Sequence, residues 1–201
     1  MNQTCIKIPV TLATGSQARI KMFENAGYSI NAQPADLDEA AIKVKMRAAG
    51  ARPENIAEEL AAKKAEIISA NTNNLVIGSD QILVCEGMLF DKAENMKAAK
   101  EKLFALQGRP HQLISAAVVF ENGKPVWGTT REATLYMRAL TEDEIDYYLD
   151  LEGEAVLSSV GCYFLEGRGA NLFTRVDGDY FTVLGFPLLD VLGYLRERSI
   201  I

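Results

Sequence analysis

An aspartate, Asp80, follows a short apolar run, residues 75–77, after the small-residue step Gly78-Ser79. Runs of this kind are typical of buried strands, and open α/β sheets bind their ligands at the carboxyl ends of such strands. A carboxylate in that position could act as a general base or hold a metal ion. Gly-Ser-Asp is also ordinary turn chemistry that could simply end a strand. Taken alone, the stretch leaves both interpretations open.

A lysine, Lys64, falls on the apolar face of a helix that we predict from Pro53 to about Ala70. At 100° per residue, the apolar stripe of this helix is formed by Ile56, Leu60, Ile67 and Ile68. Lys64 lies near the middle of the stripe and Lys63 at its edge. An inward lysine needs a partner or a ligand, unless its aliphatic stem carries the ammonium past the edge of the core.

Near the start of the chain, a predicted strand over residues 6–13 runs into a small polar loop and then a helix that Gly27 ends. Ser16 is a natural N-cap for that helix. Free backbone N–H groups at such a position bind anions, and Arg19 in the first turn could add a guanidinium. A merely capped helix with a solvated arginine would explain the same residues.

A second acidic candidate, Glu39, belongs to a helix that we predict over residues 36–49. Asp36 and Glu39 have the spacing of a capping box. That spacing gives Glu39 a purely structural explanation.

The rest of the chain predicts alternating strands and helices. The predicted strands are residues 82–85, 88–90, 111–120, 124–138, 160–164, 172–176 and 180–184, with tight turns at Glu86-Gly87 and Glu121–Lys124. One further predicted helix ends at Gly108. Two more follow, of which one begins with a capping box at Thr141–Glu144 and the other begins at Gly185-Phe186-Pro187. This order predicts an α/β fold with a mixed sheet. We expect a single domain over residues 1–201.

Composition restricts the class of function. The chain has 201 residues, 48% of them hydrophobic and 24% charged, which is typical of a globular protein with a sizeable core. The net charge of −6 argues against non-specific binding to nucleic acid or to an anionic membrane. We see no signal peptide and no membrane span, so a cytoplasmic protein is expected. A homodimer is an open alternative to a monomer.

The single histidine, His111, excludes a metal site built on several histidines. A Ser-His-Asp triad would have to use His111, and no Gly-x-Ser-x-Gly motif accompanies it. The three cysteines show no metal spacing, and Cys85 and Cys162 lie among apolar neighbours as small core residues. Any hydrolysis would therefore rest on carboxylates, lysines and a hard metal ion.

A series of short motifs resembles, in order and spacing, those of the Maf family of nucleoside triphosphate pyrophosphatases. Leu12–Arg19 is similar to Leu-Ala-Ser-x-Ser-Pro-Arg-Arg, and Gly78–Gln81 to Gly-Ala-Asp-Thr. The other matching segments are Asp38-Glu39, Leu60–Ala65 with Lys64 as the family lysine, Gly87–Lys92, Leu106–His111 and Gly178–Leu188. Each motif alone is weak, but the series is specific and covers nearly the whole chain.

The resemblance implies a fold like that of inosine triphosphate pyrophosphatases, a mixed twisted sheet flanked by helices, with two lobes and a central cleft. It also implies metal-dependent cleavage of a nucleoside triphosphate, ordinary or modified, to the monophosphate and pyrophosphate. On this hypothesis Asp80 is the general base, and Glu39 with Asp80 holds Mg²⁺. Lys64, Lys92 and Arg19 neutralise phosphates, and Ser16 and the N–H groups after it cradle one of them.

Two departures from the family pattern concern the substrate. The family Pro-Arg-Arg is Gln17-Ala18-Arg19 here, so one phosphate-facing arginine remains. Substrate preference in the family follows three positions, occupied here by Ala18, Gln81 and Glu166. Pyrimidine-preferring members resemble Arg, Thr and Gln there, and members acting on 7-methyl-GTP resemble Trp, Glu and Glu. Only Glu166 matches, on the 7-methyl-GTP side, and the base is left open.

Two other functions remain open on the sequence. The family name is tied to septum formation, so the chain could be a nucleotide-binding regulator of cell division with little or no catalysis. A metal-free phosphatase is the third alternative, and it would release inorganic phosphate.

Overall fold

Residues 9–201 are described by a computed structural model as helices on a seven-stranded sheet. The strands are β1 Val10–Ala13, β2 Asn31–Ala32, β3 Leu75–Cys85, β4 Met88–Phe90, β5 Pro110–Glu121, β6 Lys124–Met137 and β7 Phe173–Asp177. The α-helices are α1 Gln17–Asn25, α2 Glu39–Ala48, α3 Pro53–Ser69, α4 Met96–Leu106, α5 Glu142–Glu152, α6 Tyr180–Val183 and α7 Leu188–Glu197. Two 3₁₀ helices cover Gly153–Ser158 and Arg168–Leu172.

The sheet is mixed, as predicted. Its strand order is β2-β1-β3-β5-β6-β7, with β4 paired to β3 outside this path. β1 pairs in parallel with both β2 and β3, whereas β3–β4 and β6–β7 are antiparallel. The prediction of an α/β fold with a mixed sheet is therefore confirmed.

The chain divides into two compact units, and each takes its residues from separate stretches. The first unit contains residues 9–81 together with Ser115–Arg131 and Gly185–Ile201. The second unit contains Ile82–Ile114 and Glu132–Leu184. Three strands, β3, β5 and β6, contribute residues to both units. That residues 1–201 act as one domain stays a prediction.

Each unit has its own buried side chains. In the first, Phe23 of α1 and Phe186 are buried, with ring centroids 5.4 Å apart. In the second, apolar side chains of α4 and α5 pack with those of β3, β5 and β6 in one cluster, which includes Leu83, Leu103, Leu113, Leu135 and Ile145. No helix among residues 9–201 is long and apolar enough to cross a membrane.

Several local predictions are confirmed because turn and cap chemistry determined them. Pro53 is the first residue of α3, and Thr141 with Glu144 forms the predicted capping box of α5. Asn122 and Gly123 have φ of 50° and 74°, the left-handed conformation that a two-residue hairpin turn requires. Of the first predicted strand, residues 6–8 lie outside the described residues, and Val10–Ala13 forms β1.

Two predicted strands near the C-terminus are wrong. Residues 180–184 are mostly α6, because the Asp179 side chain accepts hydrogen bonds from the N–H groups of Phe181 and Thr182 at 2.9 and 3.0 Å and so caps a helix. Residues 160–164 form a turn, in which Cys162 has φ of 57°. Their apolar side chains enter the core of the second unit from that turn rather than from a strand.

Candidate functional site

An ammonium group shared by two carboxylates is the centre of the candidate site. The Nζ of Lys64 on α3 lies 2.5 Å from Oδ1 of Asp80 on β3 and 2.7 Å from Oε1 of Glu39 on α2. The Lys64 side chain is only 11% exposed, against 43% for Lys63. The predicted difference between the two lysines is therefore confirmed, and the structure brings together the three side chains predicted to be catalytic.

Close packing of α3 on β3 brings these side chains into contact. A Cβ atom built on Gly78 would lie 2.0 Å from the carbonyl oxygen of Ala61 and 2.7 Å from the backbone nitrogen of Ala65. Only glycine lets the helix backbone approach the strand so closely. Lys64 lies between these two helix residues and Asp80 two residues beyond Gly78, so the contact places the ammonium against the carboxylate.

The interpretation of residues 75–81 as a strand that ends on Asp80 is wrong, and so is the alternative of a turn. β3 continues through Asp80 to Cys85. Its parallel partner β1 ends instead, since the last paired residues are Ala13 and Gly78. Asp80 thus lies just past the carboxyl end of β1, which places it where an open sheet binds ligands although its own strand continues.

Asp80 keeps one oxygen available. The residue is 5% exposed, and its Oδ2 is buried without a hydrogen-bond partner in the structure. Buried polar atoms are nearly always paired, so an unpaired carboxylate oxygen is a place where a water proton, a metal ion or a substrate group could bind. The hydroxyl of the neighbouring Ser79 is also buried and unpartnered.

Glu39 has a different position from the one predicted. α2 begins at Glu39, and its N-cap is Asp38, whose Oδ1 accepts the N–H of Ala41 at 3.0 Å. The predicted capping box between Asp36 and Glu39 is therefore wrong. Glu39 is the first helical residue and extends to Lys64, so the purely structural explanation for this glutamate no longer holds.

Arg19 anchors α1 to other parts of the first unit. Its Nε donates to the carbonyl of Gly185 at 2.8 Å and its Nη1 to the carbonyl of Ser79 at 3.0 Å. Burial lowers the pKa of the guanidinium, and the charges of Asp80 and Glu39 partly oppose that effect. An arginine nevertheless stays protonated in a protein. Two of its five donors bind carbonyls, and the predicted contact with a phosphate stays a prediction.

The loop before α1 leaves helix N–H groups uncapped by its serine. Ser16 occupies the N-cap position, but its side chain makes no capping hydrogen bond. Its own N–H donates to Oγ1 of Thr14 at 3.1 Å. The prediction of the N-cap position is confirmed, and that of a capping side chain is wrong. Phosphate binding by Ser16 stays a prediction.

The three residues assigned to substrate preference lie in both units. In the first unit, Ala18 is exposed on α1, and Gln81 donates from Nε2 to Oγ of the buried Ser115 at 3.1 Å. In the second unit, Glu166 is exposed before the 3₁₀ helix Arg168–Leu172, and Lys92 is exposed after β4. The roles of these four residues stay predictions.

Gly185 and Ser115 were not found from the sequence. Gly185 has φ of 98°, and a Cβ there would lie 3.3 Å from Oε1 of Gln81 and 3.6 Å from Nη2 of Arg19. The Gly-Phe-Pro step before α7 was the available signal, but it indicates only a helix start. Nothing in the order of residues connects Ser115, in the middle of β5, with Gln81.

A metal ion at this site would take its protein ligands from the two carboxylates already described. No group of three or more His, Cys, Asp and Glu side chains that could hold a metal ion occurs within residues 9–201. Mg²⁺ commonly uses one or two protein carboxylates and takes its other ligands from water and substrate phosphates. The pair of Asp80 and Glu39, with the unpaired Oδ2 of Asp80, fits that pattern of ligation.

His111 is buried in the second unit and bonded to a tyrosine. Its Nε2 lies 2.7 Å from the hydroxyl of Tyr163, and burial lowers the pKa of the imidazole to about 4. Burial also raises the pKa of Tyr163, so the neutral ring accepts a hydrogen bond from the protonated hydroxyl. Cys85 and Cys162 are free and buried, as predicted.

Comparison with known proteins agrees with the motif series. Residues 9–198 match the family described as Maf-like protein. A protein of Granulibacter bethesdensis named nucleoside triphosphate pyrophosphatase is 47% identical, over 94% of this chain and 96% of that protein. A protein of Rhizobium etli named 7-methyl-GTP pyrophosphatase is 45% identical, over 94% and 96%.

A solved structure of a HAM1 protein from Coxiella burnetii is similar over 65% of this chain and 73% of that chain, with 14% identity and a TM-score of 0.42. The family match spans nearly all of the described residues, and the curated relatives cover the chain almost from end to end. The resemblance predicted from the motifs is confirmed, and the chain belongs to the Maf-like protein family.

Proposed function

We propose that this protein is a nucleoside triphosphate pyrophosphatase, which hydrolyses its substrate to the nucleoside monophosphate and pyrophosphate. Membership of the Maf-like family and the names of relatives 45–47% identical support this activity. The observation that links this activity to particular residues is the hydrogen bonding of the two Asp80 carboxylate oxygens. One oxygen is bound to Lys64 at 2.5 Å, and the other is buried and unpaired.

The chain's own groups suit attack by water on a phosphorus atom. Oδ2 of Asp80 accepts the proton of the attacking water, and Lys64 holds the carboxylate in place through Oδ1. Phosphoryl transfer depends mainly on position and on neutralising the charge of the phosphate oxygens. A buried carboxylate that is bonded at one oxygen and unpaired at the other meets the requirement for position.

Charge neutralisation requires more than these side chains provide. Asp80 and Glu39 carry two negative charges, which Lys64 and Arg19 balance. No positive charge of these four groups is left over for a triphosphate. Mg²⁺ held by Asp80 and Glu39 would supply it, by neutralising phosphate oxygens when bound.

The remaining assignments concern how the substrate is bound. Lys92 and the N–H groups after Ser16 neutralise the phosphates, and Arg19 orients them through its remaining donors. Gln81, Glu166 and Ala18 contact the base. Relatives carry both names, nucleoside triphosphate pyrophosphatase and 7-methyl-GTP pyrophosphatase, so the panel of candidate substrates includes modified and unmodified bases.

A cytoplasmic location belongs to the same proposal. Nucleoside triphosphates are made and used there, and a reducing compartment keeps free thiols such as those of Cys85 and Cys162 unpaired.

The deciding experiment measures products from a panel of ordinary and modified nucleoside triphosphates, including 7-methyl-GTP, with and without Mg²⁺. Phosphorus NMR separates pyrophosphate from inorganic phosphate. We expect pyrophosphate from at least one substrate, released only with the metal and stopped by chelator. Tight nucleotide binding without any product would favour the regulator of cell division. Inorganic phosphate released in the presence of chelator would indicate the metal-free phosphatase.

A further inference from the structure

A second lysine is buried in the second unit, far along the chain from the candidate site. Lys102 on α4 is 8% exposed, although lysine is almost never fully buried without a partner. Its Nζ donates to the carbonyl of Asp91 and, at 3.0 Å, to the carbonyl of Val160. It also lies beside Cys162, where its charge opposes the burial that raises the pKa of that thiol.

The carbonyl of Asp91 is the informative contact because Asp91 immediately precedes Lys92. The segment Asp91–Ala93 connects β4 to α4 and has no regular secondary structure, so ladder hydrogen bonds do not hold it. Lys102 binds it from one side of Lys92. On the other side, Ala93 is 9% exposed and belongs to the hydrophobic core of the second unit.

Lys92 itself is exposed between these two fixed neighbours. A long, flexible side chain is positioned best when its backbone cannot move, since fewer rotatable bonds then remain to be ordered on binding. Val160 serves as the second anchor, because it is also buried in the same core.

We infer that Lys102 is a positioning residue that fixes the backbone at Lys92 and so orients the exposed Lys92 side chain for binding a phosphate group. Lys102 acts through Lys92 and does not itself touch the substrate. The inference rests on the proposed function for the role of Lys92, whereas the fixing of the segment itself rests on the contacts of Lys102 and the burial of Ala93.

The substitution Lys102→Met tests the contact, because methionine fills the same space without an ammonium. The matched control is Lys97→Met on the same helix, where the side chain is 87% exposed. Hydrogen exchange is measured on peptides covering residues 88–96, with peptides of β5 as a reference for global opening. We expect faster exchange at residues 91–93 in Lys102→Met alone. Unchanged exchange there, with β5 also unchanged, would overturn the inference.

A double-mutant cycle with Lys92→Ala separates positioning from a general structural effect. We expect Lys102→Met to raise KM for the best triphosphate roughly tenfold, with a smaller change in kcat, because it misplaces a binding group. The double variant should lose no more kcat/KM than Lys92→Ala alone. Losses that multiply would mean that Lys102 does not act through Lys92.

Failure of the proposed function would look different from failure of this inference. If the wild-type protein releases no pyrophosphate, the proposed function is wrong, and the exchange at residues 91–93 still decides whether Lys102 fixes the segment. If Lys102→Met does not fold, Lys102→Gln replaces it, since its amide keeps donors without the charge. Intermediate exchange in that variant would support the inference, and wild-type exchange would contradict it.

Discussion

Lys64 offsets the repulsion between two carboxylates, of which Asp80 is buried and Glu39 is partly exposed. Asp80 and Glu39 would repel each other, and a buried carboxylate without a partner is costly. One ammonium binds both, at 2.5 and 2.7 Å, from a side chain that is 11% exposed. Because both carboxylates bind the same ammonium, a change in one of the three side chains alters the charge balance of the other two.

The substitution Asp80→Asn tests the general base directly. The amide keeps the size of the side chain but cannot take a proton from water, so turnover should fall roughly 10²–10⁴-fold or below detection. Lys64 keeps Glu39 as a partner, so the fold and nucleotide binding should persist. Pyrophosphate release, nucleotide titration and the melting temperature measure the three properties.

Asp36→Asn is the control for this substitution. Asp36 is exposed and lies before α2, outside the cap that Asp38 forms. Wild-type activity is expected from it. Near-full activity of Asp80→Asn would show that another group takes the proton.

Helix α3 positions Lys64 through the close contact of its backbone with β3. The closest approach is at Gly78, where an added Cβ would lie 2.0 Å from a helix carbonyl and 2.9 Å from the Cβ of Ala65. A strand cannot relax easily at that point, since β3 pairs with β1 up to Gly78. The site therefore depends on a glycine that performs no chemistry.

Gly78→Ala should destabilise the protein by about 1–3 kcal/mol or more, because α3 must move away from β3. Activity should fall further than stability explains, since Lys64 moves with the helix. Urea unfolding and pyrophosphate release measure the two effects. Gly193→Ala on α7 is the matched control with the opposite sign, because an added Cβ there meets nothing within 4 Å. It should stabilise by about 0.5–1 kcal/mol, and equal effects of the two substitutions would contradict the packing argument.

The identity of the residue that caps the start of α2 can be tested in the same way. Asp38→Ala removes the side chain that accepts the N–H of Ala41, and should cost about 1 kcal/mol of stability. Asp36→Ala should cost almost nothing, although the capping-box spacing of the sequence assigns the cap to Asp36. Urea midpoints of the two variants decide between the two caps, and a larger loss for Asp36→Ala would restore the predicted box.

Elements with strong local chemistry could be predicted from the sequence. Pro53, the Thr141 box and the Asn122-Gly123 turn each restrict the backbone by themselves. Two apolar runs were wrongly predicted to be strands. Residues 160–164 turn at Cys162, and an Asp179 cap makes residues 180–183 helical, so tertiary burial rather than alternation explains their apolar side chains.

The members of the charged cluster at Lys64 could be predicted from the sequence, but the geometry around it only in part. The inward face of α3 predicts that Lys64 needs a partner, and Asp80 and Glu39 are that partner. The carbonyl contacts of Arg19 with Gly185 and Ser79 join residues far apart in the chain. Periodicity and spacing carry no information on such pairs.

In the whole molecule, the chain crosses between its two units three times within strands, in β3, β5 and β6, and once between α6 and α7. Asp80 and Gln81 are the last residues of one stretch of the first unit, and Ile82 begins the second unit in the same strand. Because β3 continues as an apolar strand through Cys85, no break in the sequence pattern marks the boundary. The strand was predicted to end at Asp80 only because Gly78-Ser79-Asp80 has the chemistry of a turn.

His111 makes the stability of the whole molecule depend on pH. The ring is buried beside Tyr163 and Phe173, and burial lowers its pKa to about 4, with the Arg109 carbonyl opposing only in part. In the unfolded chain the pKa is about 6.5. As the pH falls, the unfolded state therefore binds the proton at a higher pH than the folded state does. The stabilisation that is present above about pH 6.5 is lost as the pH falls through about 4. Between about pH 7 and pH 5, unfolding should become easier by about 2 kcal/mol from this residue alone.

Urea unfolding of the wild type and of His111→Gln at about pH 7 and pH 5 measures this contribution. Glutamine stays neutral and can still accept the Tyr163 hydroxyl, so the variant should lack that part of the pH dependence. Carboxyl groups with lowered pKa, such as Asp190 beside Arg131, lose stability in both proteins and cancel in the difference. Because His111 is the only histidine, a pH dependence equal in the two proteins over this range would mean that the imidazole is already protonated, or solvated, in the folded state.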